Sequence, residues 1–178
     1  MRKAIIINNG SNYLNELIEK IRELRVFNEI KIADPRSEPE EADMYFVSGR
    51  SSRSLVTMKN FIKLLRDLEG RPALYICFGA EALNLYLGGT LRRANGLLSG
   101  AFQVKFEGSS YVTDGVTSFH VSRHFNIGSL NPKSRAVAWS VNGVEAFEYK
   151  KSLAVMFHPE VSNKDGTELL AAFVRKNL

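Results

Sequence analysis

A chain of 178 residues, 44% hydrophobic and 24% charged, is long enough to bury a core without disulfides, and no apolar run approaches the roughly 18 residues of a membrane span. Its net charge of +5 is scattered rather than gathered in an arginine-rich block, so neither nucleic acid nor a membrane is expected as a partner. One cysteine excludes an intrachain disulfide, and three histidines at no metal-ligand spacing leave no metal and no cofactor to expect.

Ala4 to Ile7 form a continuously apolar run, the pattern of a strand buried on both faces. The run turns polar at Asn8, too soon for a secretory signal, which makes a cytoplasmic location the expectation. Tyr13, Leu14, Leu17, Ile18, Ile21 and Leu24 then recur at helical spacing. Strands are expected at Glu29 to Ala33 and Met44 to Val47, stopped by "DPRSEP" and "SGRSSRS". Leu55, Met58, Phe61, Ile62, Leu65 and Leu68 trace a second helix, Ala73 to Ile76 a fourth strand, and Ala80 to Leu87 a third helix. Alternation of strand and helix is the signature of βαβ units with helices on both faces of a parallel sheet.

From Leu97 the texture changes to short apolar or alternating runs broken by Gly, Asn and Lys, with "VNGV" and "YKKS" suited to tight hairpin turns. A closing helix in "DGTELLAAFVRKNL" turns Leu169, Leu170 and Phe173 inward. The expected class is α/β: a single-domain three-layer sandwich over residues 1–178, with a mostly parallel central sheet and an antiparallel strand region in the C-terminal half.

Cys77 falls where the fourth strand ends and a helix begins, with Gly79 two residues on. A small buried core residue is one reading. The other is a nucleophile at a strand-to-helix turn, where helix amides and their partial positive charge face the sulfur and the Phe78 N–H can hold a developing oxyanion. "LAVMFHPEV" adds an apolar strand that ends in His158, with Glu160 two residues later. If both side chains turn toward Cys77, His158 can take the thiol proton and Glu160 can orient the imidazole.

With these residues the chain resembles the class I glutamine amidotransferases, the Cys-His-Glu glutaminase domains that pass ammonia to a synthase. Their Gly-x-Cys-x-Gly-x-Gln elbow is matched by "YICFGAE" and their Phe-His-Pro-Glu motif by "FHPE". "INNGSNY" and "VNGVEAFEYKKSLAVMFHPEV" are similar to the glutaminase part of GMP synthase, closest to its stand-alone archaeal form, over essentially the whole chain. The resemblance implies a glutamine amidohydrolase working through a cysteinyl thioester for a separate ATP-dependent synthase. It implies Cys77 as nucleophile, His158 as base and Glu160 as its orienting partner. Oxyanion amides would come from Phe78 and Arg50, and substrate contacts from Gly49, Glu81 and His120. No nucleotide-binding "SGGxDS" loop or P-loop is present, so ATP chemistry would lie with the partner.

Three positions depart from the family pattern. Glu81 stands in place of the elbow glutamine, "SGRSSRS" in place of a Gly-Gly-Pro loop, and Tyr75 in place of a small residue. A carboxylate at position 81 must contact the ammonium group of glutamine or pair with Arg50 or Arg53. Two other readings follow from these departures: a catalytically weak homologue with a binding or regulatory role, and a cysteine amidohydrolase with another amide substrate.

Overall fold

The computed structural model describes residues 1–178, apart from the side chain of Asn60. In chain order the elements are β1 (Lys3–Ile7), α1 (Leu14–Glu23), β2 (Glu29–Ala33), β3 (Met44–Val47), α2 (Met58–Asp67), β4 (Ala73–Ile76) and α3 (Phe78–Tyr86). There follow β5 (Thr90–Phe106), β6 (Gly115–Ser129), β7 (Arg135–Ser140), β8 (Gly143–Tyr149), β9 (Ser152–Val155), a 3-10 turn (Pro159–Val161) and α4 (Asn163–Asn177).

All nine strands join one sheet in the order β2-β1-β3-β4-β9-β8-β7-β5-β6. The pairs from β2 through β9 are parallel and those from β9 to β6 antiparallel. Every residue of β3, β4 and β9 is buried, as continuous apolar runs require when both faces of a sheet are covered. Side chains alternate between two cores. Ile6, Phe46, Leu74 and Val155 pack with Leu17 and Ile21 of α1 and with Leu170 and Phe173 of α4. On the opposite face Ile5, Tyr45, Tyr75 and Ala154 pack with Phe61 and Leu65 of α2 and with Leu83 of α3. The result is the three-layer α/β architecture expected from the sequence.

Both tight turns fall where expected, Ser140 pairing with Gly143 and Tyr149 with Ser152. Several boundaries differ, among them α3, which starts at Phe78 and not at Ala80. Leu55, expected on the second helix, is 90% exposed in the loop before α2, which starts at Met58. The helical periodicity extends one turn beyond the segment that packs. Strand β5 starts at Thr90, before the change of texture at Leu97, and its ladder with β6 shifts register between Arg93 and Leu98. That irregularity breaks the period-2 pattern that would have marked the strand. Tyr13 precedes α1 instead of belonging to it.

Candidate active site

The turn from β4 into α3 forces Cys77 to φ +49° and ψ −107°, a conformation rare for any residue with a side chain and costing about 1–3 kcal/mol. Its neighbours hold it there. The Cys77 N–H donates to the Val155 carbonyl at 2.8 Å, and the Cys77 carbonyl accepts the Glu81 N–H at 2.9 Å. Gly79 lets the first turn of α3 press on the end of β3, where a Cβ would lie 2.9 Å from the Val47 carbonyl oxygen. The Phe78 N–H, first in the helix, has no protein acceptor among the described residues.

The loop after β3 passes over this turn. A Cβ on Gly49 would lie 3.0 Å from His158 Cε1 and 3.5 Å from Cys77 Cβ, so any side chain here would press on the His158 ring. The loop is laced to the turn after β1. Asn9 N–H donates to Ser48 Oγ at 2.9 Å, Asn9 Nδ2 to the Ser48 carbonyl at 2.7 Å, and the Ser51 N–H to the Gly10 carbonyl at 3.0 Å. The Arg50 guanidinium lies 4.1 Å over the Phe78 ring and donates to the Val56 carbonyl at 2.8 Å. The Arg50 N–H, like that of Phe78, has no protein acceptor among the described residues.

His158 arrives from the neighbouring strand, at the end of the segment that follows β9, which pairs with β4. Its Nδ1–H donates to Glu160 Oε1 at 2.8 Å, and both side chains are buried. Burial pulls the imidazole down, but the adjacent Cys77 and Glu160 outweigh it and raise His158 well above the usual histidine range. The Cys77 Sγ also lies 3.7 Å from the Ser122 carbonyl oxygen of β6. Cysteine, imidazole and carboxylate therefore lie together at one site.

These groups open onto a cavity of about 460 Å³ whose walls include Tyr13, Arg50, Cys77, Glu81, Arg123 and His158. Arg123 is buried in a bidentate pair with Glu145 at 2.7 and 2.8 Å, and it also donates to the Met156 carbonyl at 2.9 Å. Asn126 Oδ1 takes its remaining N–H groups. Ser140 Oγ adds a 2.6 Å bond to Glu145. Glu81, 8% exposed, lines the same cavity, and burial pushes its carboxyl up to about 7 against the opposing influence of Arg50, Arg123 and His158.

Glutamine amidotransferase class-I is the family whose model matches residues 5–177. The chain belongs to the class-I glutamine amidotransferases. A glutamine-hydrolyzing GMP synthase of Rhodopseudomonas palustris is 28% identical over 98% of this chain, which spans only 35% of that relative. In Methanococcus vannielii, a protein named as one subunit of a glutamine-hydrolyzing GMP synthase is 27% identical over 93% of this chain and 92% of its own length. Among solved structures, a protein assigned as a GMP synthase subunit from Thermoplasma acidophilum superposes with a TM-score of 0.88 over 99% of this chain and 94% of that one. At 23% identity that likeness speaks for the fold.

In this amidotransferase His120 does not line the cavity; the β6 residues that do are Ser122, Arg123, His124 and Phe125. Strand pairing puts the His120 backbone against His158, whose N–H donates to the His120 carbonyl at 2.8 Å, while the His120 ring lies 3.3 Å from the Tyr13 hydroxyl. Tyr75, which departs from the family pattern, lies in the core on the α2 side of the sheet, and Cys77 in the core on the other. Sequence reasoning missed Tyr13, edge-on to the His158 ring at 4.9 Å, and the Arg123–Glu145 pair. Neither residue stood out in the sequence, because β6 around Arg123 also carries two histidines and an asparagine and β8 carries a second glutamate.

Proposed function

We propose that the protein is a glutamine amidohydrolase. Cys77 Sγ attacks the side-chain carboxamide carbon of glutamine while His158 takes the thiol proton, and the Phe78 and Arg50 amides receive the oxyanion. Collapse of that intermediate breaks the C–N bond, and His158 returns the proton to the departing nitrogen. Ammonia leaves and a glutamyl thioester remains on Cys77. Water, deprotonated by His158, then attacks the thioester and releases glutamate and the thiol. Glu160 orients the imidazole throughout.

The observation that carries this reading is the junction of a cysteine held at positive φ with a buried His158–Glu160 pair. Ammonia passes to a separate ATP-dependent synthase, of the GMP synthase type. Supporting that partner is the match along 92% of the Methanococcus vannielii protein, a GMP synthase component of similar length to this chain. Residues 1–178 act as one domain, in keeping with a single sheet and a family match over 5–177. A cytoplasmic place belongs to the same proposal; among the described residues no helix is long and apolar enough to cross a membrane.

The test is glutamate release from glutamine by the purified protein, alone and with a synthase of the GMP type, together with labelling by a diazo-ketone analogue of glutamine. One label at Cys77 and glutamate release that disappears in Cys77→Ala are expected. A label that persists in Cys77→Ala, or no glutamate release under either condition, overturns the proposal.

A further inference from the structure

Two polar candidates from the sequence do not sit as expected. Among the described residues Glu81 pairs with neither Arg50, which is turned onto the Phe78 ring and the Val56 carbonyl, nor Arg53, which is exposed outside the cavity. His120 lies outside the cavity as well, but it is joined to His158 from two directions.

One direction is the backbone. The His158 N–H donates to the His120 carbonyl at 2.8 Å, the His120 N–H donates to Ser162 Oγ at 2.9 Å, and Ser162 Oγ donates to the His158 carbonyl at 2.5 Å. The other direction is the side chains. His120 Nε2 shares a hydrogen bond of 3.3 Å with the Tyr13 hydroxyl, and the Tyr13 ring stands edge-on to the His158 ring with centroids 4.9 Å apart. A closed circuit therefore runs from the His158 backbone through His120 and Tyr13 back to the His158 imidazole. Tyr13 is itself fixed at the entry to α1, where its N–H donates to Ser11 Oγ at 3.1 Å and its carbonyl accepts the Leu17 N–H at 3.1 Å.

The imidazole needs such a support. Its Nδ1 is committed to Glu160, which leaves Nε2 for the adjacent Cys77 sulfur. One hydrogen bond at a corner of a ring does not fix the ring plane, and His158 borders the cavity, where only a wall residue keeps it from swinging off the sulfur. Tyr13 is in that wall, and rings crossed at 72° are in a favourable edge-to-face contact. We propose that Tyr13, braced by His120, is a positioning residue that holds the His158 imidazole on Cys77. This rests on the glutaminase reading for the roles of Cys77 and His158 and adds the support of the base. Burial first, and the His158 charge second, hold His120 below the usual histidine range against the pull of Glu160, so no second positive charge stands beside the base at neutral pH.

The test is the pH dependence of Cys77 alkylation by iodoacetamide, which reports the thiolate paired with the imidazolium and requires no turnover. The charged and titratable groups around the base, Cys77, Glu160, His120, Glu81, Arg50 and Arg123, all stay in place when Tyr13 is replaced, so a shift reports the position of the ring. Tyr13→Leu should move the midpoint of the profile up by about one pH unit. It should also slow glutamine hydrolysis by about 10- to 100-fold in kcat, with KM changed less than about threefold, whereas loss of a substrate contact would fall on KM. Tyr13→Phe keeps the ring and loses only the bond to His120, for a smaller loss of about threefold. His120→Leu should match Tyr13→Phe, and the two changes together should cost no more than either alone. His120→Gln, whose side-chain amide still reaches the hydroxyl, should recover most of the loss. Circular dichroism confirms that the variants fold.

An alkylation profile in Tyr13→Leu that matches wild type overturns the proposal. So does a rise in KM with kcat intact, or a double variant whose losses simply add. A shifted profile in a protein that releases no glutamate from glutamine would sink the glutaminase reading and keep the support of His158 by Tyr13. Glutamate release with an unshifted profile would sink the support alone.

Discussion

The Cys77 wall of the cavity and its His158 wall are assembled over very different distances along the chain. Cys77, Phe78 and Glu81 come from one strand-to-helix turn, held by a glycine at position 79 and by a bond from the Glu81 N–H back to the Cys77 carbonyl. The opposite wall is collected from three places. His158 follows β9, the Ser122 carbonyl belongs to β6, Glu145 lies on β8, and Arg123 ties these segments together through Glu145 and the Met156 carbonyl. The first wall is a local backbone device, and the second depends on a buried ion pair that is absent until the sheet has closed. Damage to the first should therefore remove chemistry and spare the fold, whereas damage to the second should cost both.

The largest effect is expected on the local wall. Cys77→Ala should abolish glutamate release and labelling while its far-UV circular dichroism matches wild type. Cys77→Gly should be equally inactive yet more stable than Cys77→Ala by about 1 kcal/mol in urea denaturation, because glycine adopts φ +49° without the strain. A Cys77→Gly protein no more stable than Cys77→Ala would show that the turn carries no strain.

Breaking the distant wall should be felt in the fold. Arg123→Met leaves Glu145 buried without its counter-charge, which costs about 3–5 kcal/mol in denaturation experiments. The double change Arg123→Met with Glu145→Met removes both charges and should recover much of that stability. Turnover should stay low in the double variant, because the bond to the Met156 carbonyl, two residues before His158, is gone. Full activity in the double variant would reduce Arg123 to a purely structural role.

Glu81 sharpens the comparison, since it sits on the local wall yet feels Arg123 and His158 across the cavity. Its carboxyl is raised from an ordinary 4.5 to about 7, so the folded state holds the proton more tightly than the unfolded chain does. The stability this confers is complete below the ordinary value and is lost as pH rises through about 7. Glu81→Gln has nothing to lose. It should match wild type near pH 4 and exceed it by roughly 3 kcal/mol at pH 8 in the absence of ligand. A difference that stays flat with pH would mean that the ionised carboxylate already has a partner.

The same contrast of distances explains what could be read from the sequence. Cys77 at a strand end, Gly79 behind it and the FHPE segment are short patterns whose local geometry follows from the residue types. The paired cores were legible too, because continuous apolar runs such as Met44 to Val47 force a sheet covered on both faces. Arg123 and Glu145 were not, since 22 residues separate the partners and nothing local marks them as facing each other. His120 was misplaced for a related reason: it pairs through its backbone with His158, and only the paired structure shows that the cavity begins further along β6, at Ser122 to Phe125. The counter-charge of Glu81 was likewise undecidable, because the stacking of Arg50 on Phe78 depends on how the loop after β3 closes over α3.

The smallest change that should still be measured is one methyl group where the two walls touch. Gly49 belongs to the loop after β3 and separates Cys77 from His158, with an added Cβ at 3.0 Å from His158 Cε1 and 3.5 Å from Cys77 Cβ. The imidazole cannot retreat freely. Its Nδ1 is bonded to Glu160, its backbone N–H is bonded to the His120 carbonyl, and Tyr13 packs edge-on against its ring. Gly49→Ala should therefore displace the base by a few tenths of an ångström and lower kcat by roughly 10- to 100-fold, in line with what small misalignments of reacting groups cost. Because the loop keeps its bonds to Asn9 and Gly10, the denaturation midpoint should shift little. Unchanged kcat in Gly49→Ala would mean that the His158 ring has room to move at the catalytic position, and the tight junction of the two walls would then have no bearing on turnover.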